Sequence, residues 1–380
     1  MELKLQKELW LNGFINRRNK MRKKRFILVI NPCYEYTKVG IFNENEKQIV
    51  CESLEFKHND IKKFYDQKDC RIKDIMLFLK QVGVSLGEVK AIAGRGGLLR
   101  PMPGGVYKIT PKMVEDLRIG YAGEHVNNLG GILAYELGKK ANIPSYIVDS
   151  MTIDEMLDIA KFSGLPGIKR RALSHALNIK YVANKIALKD SLNIVNTSYI
   201  VAYMGRDISV VALKNGKIID TNNFYDESSF SMQRCGSIAP LKLIDLAFNY
   251  KGDYKSFNLE LFTKSGLMSY MNTNSIEEVQ KIVIEEEEKY SYILEAMAYN
   301  ITKNIGAISA ALNFKADKII LTGSLSANNK ITSFIEKKIN FIAPVEVYKG
   351  SYEMESLAHG VVKILKGEEK YKIYENEVEL

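Results

Sequence analysis

The sequence predicts an α/β protein built from two similar domains. Its 380 residues are enough for two ordinary cores, each in a domain of roughly 150–200 residues. A strand–turn–strand–turn–strand pattern occurs near residues 26–51 and again near 198–220. Segments with helical spacing follow both copies. Two copies of one motif favour two domains that face each other across a cleft.

The first half of the chain opens with a buried apolar strand, bounded by Asn31-Pro32, and a hairpin with a polar turn over 43–46. Apolar residues at helical spacing follow, and then a second, shorter apolar strand. The predicted elements are strands over 26–30, 37–42 and 47–51, helices over 61–82 and 130–140, and a short strand that ends at Asp149.

The second half repeats the hairpin and then becomes mainly helical. Asn215-Gly216 is a strong two-residue hairpin signal. The four glutamates over 285–288 are predicted to face solvent. The predicted strands are 198–204, 208–213, 218–220, 318–321 and a last strand over 341–347, and the predicted helices are 241–248, 275–289, 290–312 and 354–365.

The positive charge of the chain is concentrated at its N-terminus. The net charge is +9, but the first 25 residues contain nine Lys or Arg and two Asp or Glu. These charges follow the apolar residues Leu3 to Ile15, which is the reverse of a signal peptide. The segment either contacts RNA or anionic lipid, or precedes a true translation start at Met21, which we favour. Because the remaining residues are nearly neutral, nucleic acid is not an expected partner.

Cysteine usage and hydropathy predict a cytoplasmic protein. The four cysteines are scattered, without the spacing of a metal site or a disulfide framework. No apolar run approaches the roughly 18–20 residues of a membrane span, so a membrane is not an expected partner.

A glycine-rich tract over 94–105 is the most informative motif. It follows an apolar strand and contains five glycines, two prolines and two arginines. Glycine lets the backbone approach a ligand closely, and the arginine guanidinium forms a planar fork that suits a carboxylate or a phosphate. The tract is therefore either an anion-binding loop, with Gly94, Arg95, Gly96 and Gly97 at its start, or a surface turn.

Three turns at the ends of apolar strands are candidate phosphate cradles. Backbone N–H groups in such turns bind phosphate when the residues are small. Thr322-Gly323-Ser324 fits this pattern, whereas Tyr203 to Asp207 has Gly205 as its only glycine. The first turn, 31–38, offers Thr37 and Lys38 but also carries Glu35, which repels phosphate.

Several ordered segments together resemble the acetate/butyrate kinase family, on its butyrate kinase side. The resemblance covers nearly the whole chain, from about Phe26 to about Glu368. The segments that carry it are Gly94 to Pro101, His125 to Ala134, Ile147 to Asp149, Asp154 to Met156, Ser163 to Pro166, His175 to Asn178, Ala296 to Tyr299, Leu321 to Gly323 and Phe341 to Pro344.

The resemblance implies an actin-like ATPase fold of two duplicated α/β domains, each with a mixed five-stranded sheet, and an interdomain cleft. The implied organisation is a basic extension over 1–25, a first domain over 26–149 plus 355–380, and a second domain over 150–354. It implies reversible transfer of the terminal phosphate of ATP to butyrate or a related short-chain carboxylate, which gives an acyl phosphate and ADP, with Mg²⁺. The implied assembly is a homodimer or a higher homo-oligomer.

The resemblance also implies roles for single residues. Arg95 binds the carboxylate or the transferring phosphoryl group, and Arg234 clamps the charge of the transition state. Glu353 and Asp149 lie near the metal. The remaining implied contacts are His175 with the phosphoryl group, His125 in the substrate cleft, Asn31 and Lys38 at the ends of the first phosphate loop, and Gly205, Gly323 and Ser324 in the other two loops. Alternatively, Asp149 caps a following helix, and both histidines are polar core residues.

The chain departs from the family in its phosphate loops. It has Tyr203-Met204-Gly205-Arg206-Asp207 where members have His-x-Gly-Gly-Gly, and Ser324 where they have a second glycine. Cys33 to Tyr36 replace a glycine and small hydroxyl residues, and Ile179 replaces a polar residue. Two functions therefore stay open: an active carboxylate kinase, or an inactive relative that binds a carboxylate, an acyl phosphate or a protein.

Overall fold

The computed structural model describes residues 25–57, 61, 63–273, 275–285 and 287–380. The basic segment through Lys24, with the predictions made for it, lies outside the described residues. The chain divides into two compact units. The first extends to Ser150 and resumes from Glu353 to Leu380, and the second comprises Met151–Tyr352.

The sheet of the first unit has seven strands rather than the expected five. Their order is β12-β5-β6-β4-β1-β2-β3. The first three strands pair antiparallel, and β4 pairs parallel with both β1 and β6. The bounds are β1 Phe26–Pro32, β2 Tyr36–Asn43, β3 Gln48–Glu55, β4 Val89–Arg95, β5 Val106–Lys108, β6 Ser145–Val148 and β12 Lys372–Ile373.

The sheet of the second unit repeats five strands of the first, those in the order β6-β4-β1-β2-β3. Its order, β11-β10-β7-β8-β9, has the same pattern of antiparallel and parallel pairs. The duplicated hairpins predicted from the sequence are therefore confirmed as the starts of two equivalent sheets. The bounds are β7 Ser198–Met204, β8 Ile208–Lys214, β9 Lys217–Asn222, β10 Lys318–Gly323 and β11 Val345–Lys349.

Helices cover both faces of each sheet. They are α1 Lys68–Gln81, α2 Pro111–Ile119, α3 Asn128–Ala141, α4 Ala176–Lys189, α5 Pro240–Asn249, α6 Tyr254–Thr263, α7 Gly266–Met271, α8 Ile276–Glu285, α9 Ser291–Ser309, α10 Asn329–Ile339 and α11 Glu353–Lys366. In the second unit, Ile200 packs with residues of α9 and α10, and its neighbour Val201 packs with residues of α4. In the first, Leu28 packs with Leu133 of α3, and α11 packs on β1, β4 and β6. Side chains alternate along a strand, which is why both faces need a helix.

Some predicted boundaries are wrong. The helix predicted over 61–82 begins as a 3₁₀ turn at Phe64 and becomes α-helical at Lys68. The helix predicted over 275–289 ends at Glu285, where the run of glutamates places acidic groups at the negative, C-terminal end of the helix dipole. The strand predicted over 341–347 is Val345–Lys349, because Pro344 cannot donate to a β-ladder, and Phe341 is exposed. It is also not the last strand, since β12 follows.

Other helices were not predicted, although several carry readable caps. α2 starts after Thr110, whose hydroxyl accepts from the Met113 N–H, and ends at Gly120. α10 starts after Asn328, whose side chain accepts from the Ile331 N–H. α4 follows His175 with no side-chain cap. Among the described residues, no helix is both long enough and apolar enough to cross a membrane.

Candidate active site

The predicted site residues fall into two groups, one in each unit. Arg95 is the last residue of β4, and its side chain is buried. The end of the strand packs against the first turn of α3 at two glycines, Gly94 and Gly130. A Cβ on Gly94 would lie 2.2 Å from the Gly130 carbonyl oxygen, and one on Gly130 would lie 2.4 Å from the Arg95 carbonyl oxygen. Only glycine at both positions lets the strand end and the helix meet, so the backbone of Arg95 is held in a defined place.

The tract after Arg95 is held on two sides. The Leu98 N–H donates to the Asn128 side chain at 2.8 Å, and the Ser150 hydroxyl donates to the Gly97 carbonyl at 2.7 Å. A Cβ on Gly97 would overlap Asn128 at 2.2 Å, and one on Gly96 would lie 3.0 Å from Ser150. The glycines therefore serve close packing of the tract, and the tract is a positioned loop rather than a loose surface turn.

Asp149 closes the far end of the same tract. Its carboxylate accepts from the Gly105 N–H at 2.9 Å, and its own N–H donates to the Gly105 carbonyl at 3.0 Å. The backbone at Asp149 has a positive φ of 39°, a conformation that aspartate tolerates better than most residues. The residues after it form no helix before Asp158, so the alternative that Asp149 caps a following helix is wrong. Arg95 and Asp149 thus belong to one connected loop structure.

The first predicted phosphate loop is a tight hairpin turn between β1 and β2. Asn31 and Lys38 face each other across the hairpin, and Tyr34 and Glu35 at its tip are exposed. Thr37 is buried just inside the turn. Asn31 and Lys38, the predicted ends of the loop, are therefore paired residues of the hairpin. The charge of Glu35 is exposed to solvent.

Arg71, which was not predicted, organises this turn. Its guanidinium donates to the carbonyls of Cys33 and Tyr36 at 3.0 Å each, and to the Thr37 hydroxyl at 2.7 Å. It also donates to Gln67 at 2.9 and 3.0 Å. Burial lowers the pKa of Arg71 to about 10. Arg71 therefore cross-links the hairpin turn to α1, and no sequence motif marks it.

His125 lies beside the same turn. It is buried, and its ring meets the Tyr34 ring edge-on with 5.8 Å between centroids. Its Nδ1 accepts from the Asn127 N–H at 3.1 Å. A neutral imidazole that accepts at Nδ1 carries its proton on Nε2, so Nε2 is the nitrogen that can donate to a ligand.

In the second unit, two of the predicted phosphate turns lie side by side. A Cβ on Gly323 would be 2.3 Å from the Met204 carbonyl oxygen, and the φ of Gly323 is +95°. Only glycine fits there, and it brings the end of β10 against the turn that contains Gly205. Ser324 starts a 3₁₀ turn that leads into α10.

Asn178 joins this region to the end of the unit. Its side chain donates to the Thr322 hydroxyl at 3.4 Å and accepts from the Tyr352 N–H at 2.7 Å. Its neighbour Ile179 is fully buried among apolar residues of α4 and β7. The apolar residue noted at 179 therefore extends the core.

His175 immediately precedes α4 and contacts the β7–β8 hairpin. Its Nδ1 is 2.6 Å from the Ser209 hydroxyl, and its ring stacks on Tyr203 with 4.0 Å between centroids. Phe224 packs on it at 5.0 Å. Ser209 and the Tyr203 ring thus fix the orientation of this histidine.

Arg234 is buried against the same hairpin. Its guanidinium forms an ion pair with Asp207 and lies over the Tyr225 ring, 4.1 Å from the centroid. Burial alone would lower the pKa of Arg234, but the charge of Asp207 raises it above its ordinary value. The guanidinium stays protonated at any physiological pH.

Glu353 is the first residue of α11 and is half-buried. A carboxylate in the first turn of a helix is favoured by the helix dipole. Within the residues that the structure describes, no three His, Cys, Asp or Glu side chains cluster as metal ligands. Mg²⁺ is commonly held by only one or two carboxylates, with water and substrate phosphates, so Glu353 and Asp149 provide a suitable donor type.

A cavity of about 530 Å³ opens between α9 and α10 in the second unit. Its apolar wall includes Leu294, Ala298 and Phe334, and Asn329 and Lys330 line it at the start of α10. The 3₁₀ turn from Ser324 leads directly to this end of α10. Residues that line the cavity therefore come soon after the Thr322–Ser324 turn in the sequence. The size of the cavity suits a small ligand.

Two duplicated sheets that share the same five-strand order, each covered by helices on both faces, define an actin-like ATPase fold. Among solved structures, the chain is similar to the acetate kinase of Porphyromonas gingivalis, with a TM-score of 0.74 and 18% identity over 90% of this chain and 100% of that one. At that identity the likeness establishes the fold alone.

The sequence comparisons define the family. The acetokinase family model matches residues 160–348. The chain is 40% identical over 352 residues to butyrate kinase 2 of Clostridium acetobutylicum, covering 92% of this chain and 99% of that protein. It is also 40% identical over 356 residues to a probable butyrate kinase of Thermotoga petrophila, covering 93% and 99%. The chain therefore belongs to the acetate/butyrate kinase family, as the resemblance predicted.

Proposed function

We propose that the protein is a carboxylate kinase that transfers the terminal phosphate of ATP, reversibly, to butyrate or a related short-chain carboxylate. The products are an acyl phosphate and ADP. The observation that carries this proposal is the 40% identity to butyrate kinase 2 over 99% of that protein. As a phosphotransferase with a carboxyl acceptor, it uses ATP and ADP.

The first unit provides the groups for the carboxylate. Arg95 stands at the end of β4, and the Asn128, Ser150 and Asp149 contacts hold the tract around it. A guanidinium fork neutralises a carboxylate or an equatorial phosphoryl oxygen and orients it. Since the loop is held in advance, little ordering entropy is lost when the ligand binds.

The second unit provides the groups for the nucleotide. The adjoining turns at Gly205 and Gly323 offer backbone N–H groups for phosphate, and the cavity between α9 and α10 has space for the nucleoside. His175, fixed by Ser209, and Arg234 are the proposed contacts with the transferring phosphoryl group.

The reaction needs positioning and charge neutralisation more than acid–base chemistry. A carboxylate is ionised at neutral pH, so its oxygen attacks the terminal phosphorus without losing a proton. The new bond joins that oxygen to phosphorus, the bond from phosphorus to the ADP oxygen breaks, and the electron pair leaves with ADP. As the family resemblance implies, Arg95 and Arg234 are the proposed groups for neutralising the equatorial oxygens.

We propose that Glu353 and Asp149 hold Mg²⁺ near the polyphosphate. Their carboxylates are hard oxygen donors, which this cation prefers. Bound Mg²⁺ would neutralise phosphate charge. Asp149 in addition holds Gly105 and so keeps the tract in place.

We also propose a cytoplasmic homo-oligomer. None of the four cysteines forms a disulfide in the structure. α5 in the second unit has no buried residue, although Leu241 and Phe248 are large and apolar, so this helix is the proposed contact between copies. Light scattering after size exclusion tests the assembly, and a monomer at micromolar concentration contradicts it.

Acyl-phosphate formation is the decisive test of the activity. Purified protein is incubated with butyrate, ATP and Mg²⁺, and the product is trapped with hydroxylamine. We expect butyryl hydroxamate, and we expect Arg95→Gln to reduce turnover about 10²–10³-fold by removing an oriented charge. Lys90→Gln, which removes a charge from the same strand at a partly exposed pair with Glu44, is the matched control.

The inactive alternative makes the opposite prediction. No hydroxamate with any short-chain acid, together with no ATP binding by calorimetry, would refute the kinase proposal. Wild-type turnover that Arg95→Gln leaves unchanged would instead remove Arg95 from the proposed site.

A further inference from the structure

Asp207 occupies an unexpected place in the second unit. It is the third residue of the Gly205-Arg206-Asp207 turn, which is closed by a hydrogen bond from the Gly205 N–H to the Asp207 carbonyl at 3.0 Å. Its side chain is mostly buried, with 9% of the residue exposed. By the family resemblance, a glycine is expected at this position. The turn of this protein therefore carries a carboxylate that the family pattern lacks.

That carboxylate binds one whole edge of the Arg234 guanidinium. Nε donates to Oδ1, and Nη2 donates to Oδ2 at 3.3 Å. Two parallel N–H groups on one edge are the donors with which arginine binds a carboxylate or phosphoryl ligand. Asp207 therefore makes the contacts that an external anion would make.

The rest of the guanidinium is enclosed but incompletely bonded. Only 4% of Arg234 is exposed, and Tyr225 covers one face of its guanidinium. Nη1 is buried and has no hydrogen-bond acceptor among the described residues. A buried N–H without an acceptor costs free energy, which a ligand with an additional oxygen would recover.

We propose that Asp207 occupies the anion-binding edge of Arg234, and that a phosphoryl ligand reaches this arginine only by displacing the Asp207 carboxylate. This inference rests on the proposed function, which identifies the ligand as an acyl phosphate. A phosphoryl group has three oxygens, so it can accept from Nη1 as well as from the edge that Asp207 leaves. Asp207 is thus a specificity-determining residue that weakens the affinity for phosphoryl ligands.

Binding without turnover tests this directly. The dissociation constant of butyryl phosphate is measured by calorimetry in the absence of ADP, so that no transfer occurs. Asp207→Asn keeps the shape and one acceptor oxygen but removes the competing charge, and we expect about tenfold tighter binding. Glu260→Gln removes one charge from an exposed pair with Lys264 in the same unit, and its affinity stays within about twofold of wild type.

Two further variants separate charge from fold. Asp207→Glu keeps the competing charge, and we expect wild-type affinity within about threefold. Asp207→Gly removes the carboxylate entirely and is expected to bind at least as tightly as Asp207→Asn. Thermal melting by circular dichroism establishes that each variant is folded, and Asp207→Gly decides the question if Asp207→Asn does not fold.

The gain must depend on Arg234. In the Arg234→Gln background, Asp207→Asn should give no gain in affinity. Binding by folded Asp207→Asn that equals wild type or is weaker, or undetectable, overturns the proposal, as does a gain that persists without Arg234. If the wild-type protein does not phosphorylate butyrate, the kinase proposal is refuted instead. The ratio of dissociation constants is measured without turnover, so the two failures are distinguishable.

Discussion

At the scale of single residues, buried charged groups fix the turns and termini of this protein. Arg71 holds the β1–β2 turn, Arg234 pairs with Asp207, and Asp116 is fully buried between Arg100, Lys112 and Tyr374. Each has several hydrogen bonds, which is what makes burial of a charge tolerable. Removing one partner from such a group is therefore costly.

Replacing Arg71 with methionine tests the cross-link between α1 and the first turn. The variant loses the guanidinium donors to the carbonyls of Cys33 and Tyr36 and to the Thr37 hydroxyl, and the Tyr36 carbonyl keeps its bond from the Cys33 N–H. We expect the free energy of unfolding to fall by about 3 kcal/mol and the KM for ATP to rise at least about fivefold. Urea unfolding and steady-state kinetics measure these effects.

Lys73→Met is the matched control, because Lys73 is exposed on the same helix. It should change the free energy of unfolding by less than about 0.5 kcal/mol. If Arg71→Met lowers stability with an unchanged KM for ATP, the β1–β2 turn does not contact the nucleotide.

The buried carboxyl group of Asp116 should make the free energy of unfolding depend on pH. Burial would raise the pKa of Asp116, but hydrogen bonds from Arg100, Lys112 and Tyr374 lower it below its ordinary value. A carboxyl group whose folded-state pKa is depressed stabilises the fold above its unfolded pKa, and that contribution is lost as the pH falls through the folded pKa. Asp116→Asn should therefore cost about 2 kcal/mol at pH 7, and progressively less below about pH 4.

Urea unfolding of both proteins across this pH range is the measurement. Glu115→Gln, which removes an exposed charge next in sequence, is the control and should differ little from wild type at any pH. A stability loss in Asp116→Asn that stays constant from pH 7 to pH 3 would contradict the linkage.

The role of a residue could be predicted from the sequence where several functional residue types lie together in one short motif. The tract around Arg95 was predicted to be either an anion-binding loop or a surface turn, and the resemblance placed Asp149 near the metal; the roles of both residues stay predictions. The contacts of Arg71, Ser150 and Ser209 join segments that are far apart in the chain. No local pattern predicts such pairs, because only the tertiary fold brings them together.

At the scale of elements, the contact between β4 and α3 is a highly restrictive packing in the first unit. The Gly94 and Gly130 backbones are in contact, and an added Cβ has no flexible side chain to displace. By contrast, a Cβ on Gly306 in α9 meets nothing within 4 Å. The two glycines are therefore expected to respond oppositely to alanine.

Gly130→Ala should lower the free energy of unfolding by about 2–3 kcal/mol and displace Arg95, with a loss of turnover greater than the loss of folded protein. Gly306→Ala should raise the free energy of unfolding by about 0.5–1 kcal/mol and leave turnover unchanged. Thermal melting and the hydroxamate assay measure both. Equal effects of the two substitutions would contradict the packing argument.

Elements were predictable where local chemistry dominates. Both hairpins follow from alternating strands and polar turns, and the strand cores from β-branched runs. The helix end at Glu285 and the start of β11 were not predicted correctly, because acidic groups at the C-terminal end of the helix dipole and the missing N–H of Pro344 override hydropathy there. The added strands β5 and β12 contain three and two residues, too few for a pattern.

At the scale of the whole molecule, the second unit is a continuous segment and the first is not. The first unit needs α11, which contributes Leu357, Ala358 and Val361, all fully buried, and packs on β1, β4 and β6. Each unit has its own sheet and its own apolar cluster. Independent folding should therefore depend on which segments are present, and not only on length.

Residues 151–352 expressed alone should fold, whereas residues 25–150 alone should not, because the sheet face that α11 covers would be exposed. Joining residues 25–150 to residues 353–380 through a flexible Gly/Ser linker should restore cooperative unfolding. Circular dichroism melting distinguishes the three proteins. A version of the linked protein with Leu357→Asp is the control, since a buried charge without a partner should abolish the rescue. Cooperative unfolding of 25–150 without α11 would contradict the view that the chain must return from the second unit to complete the first.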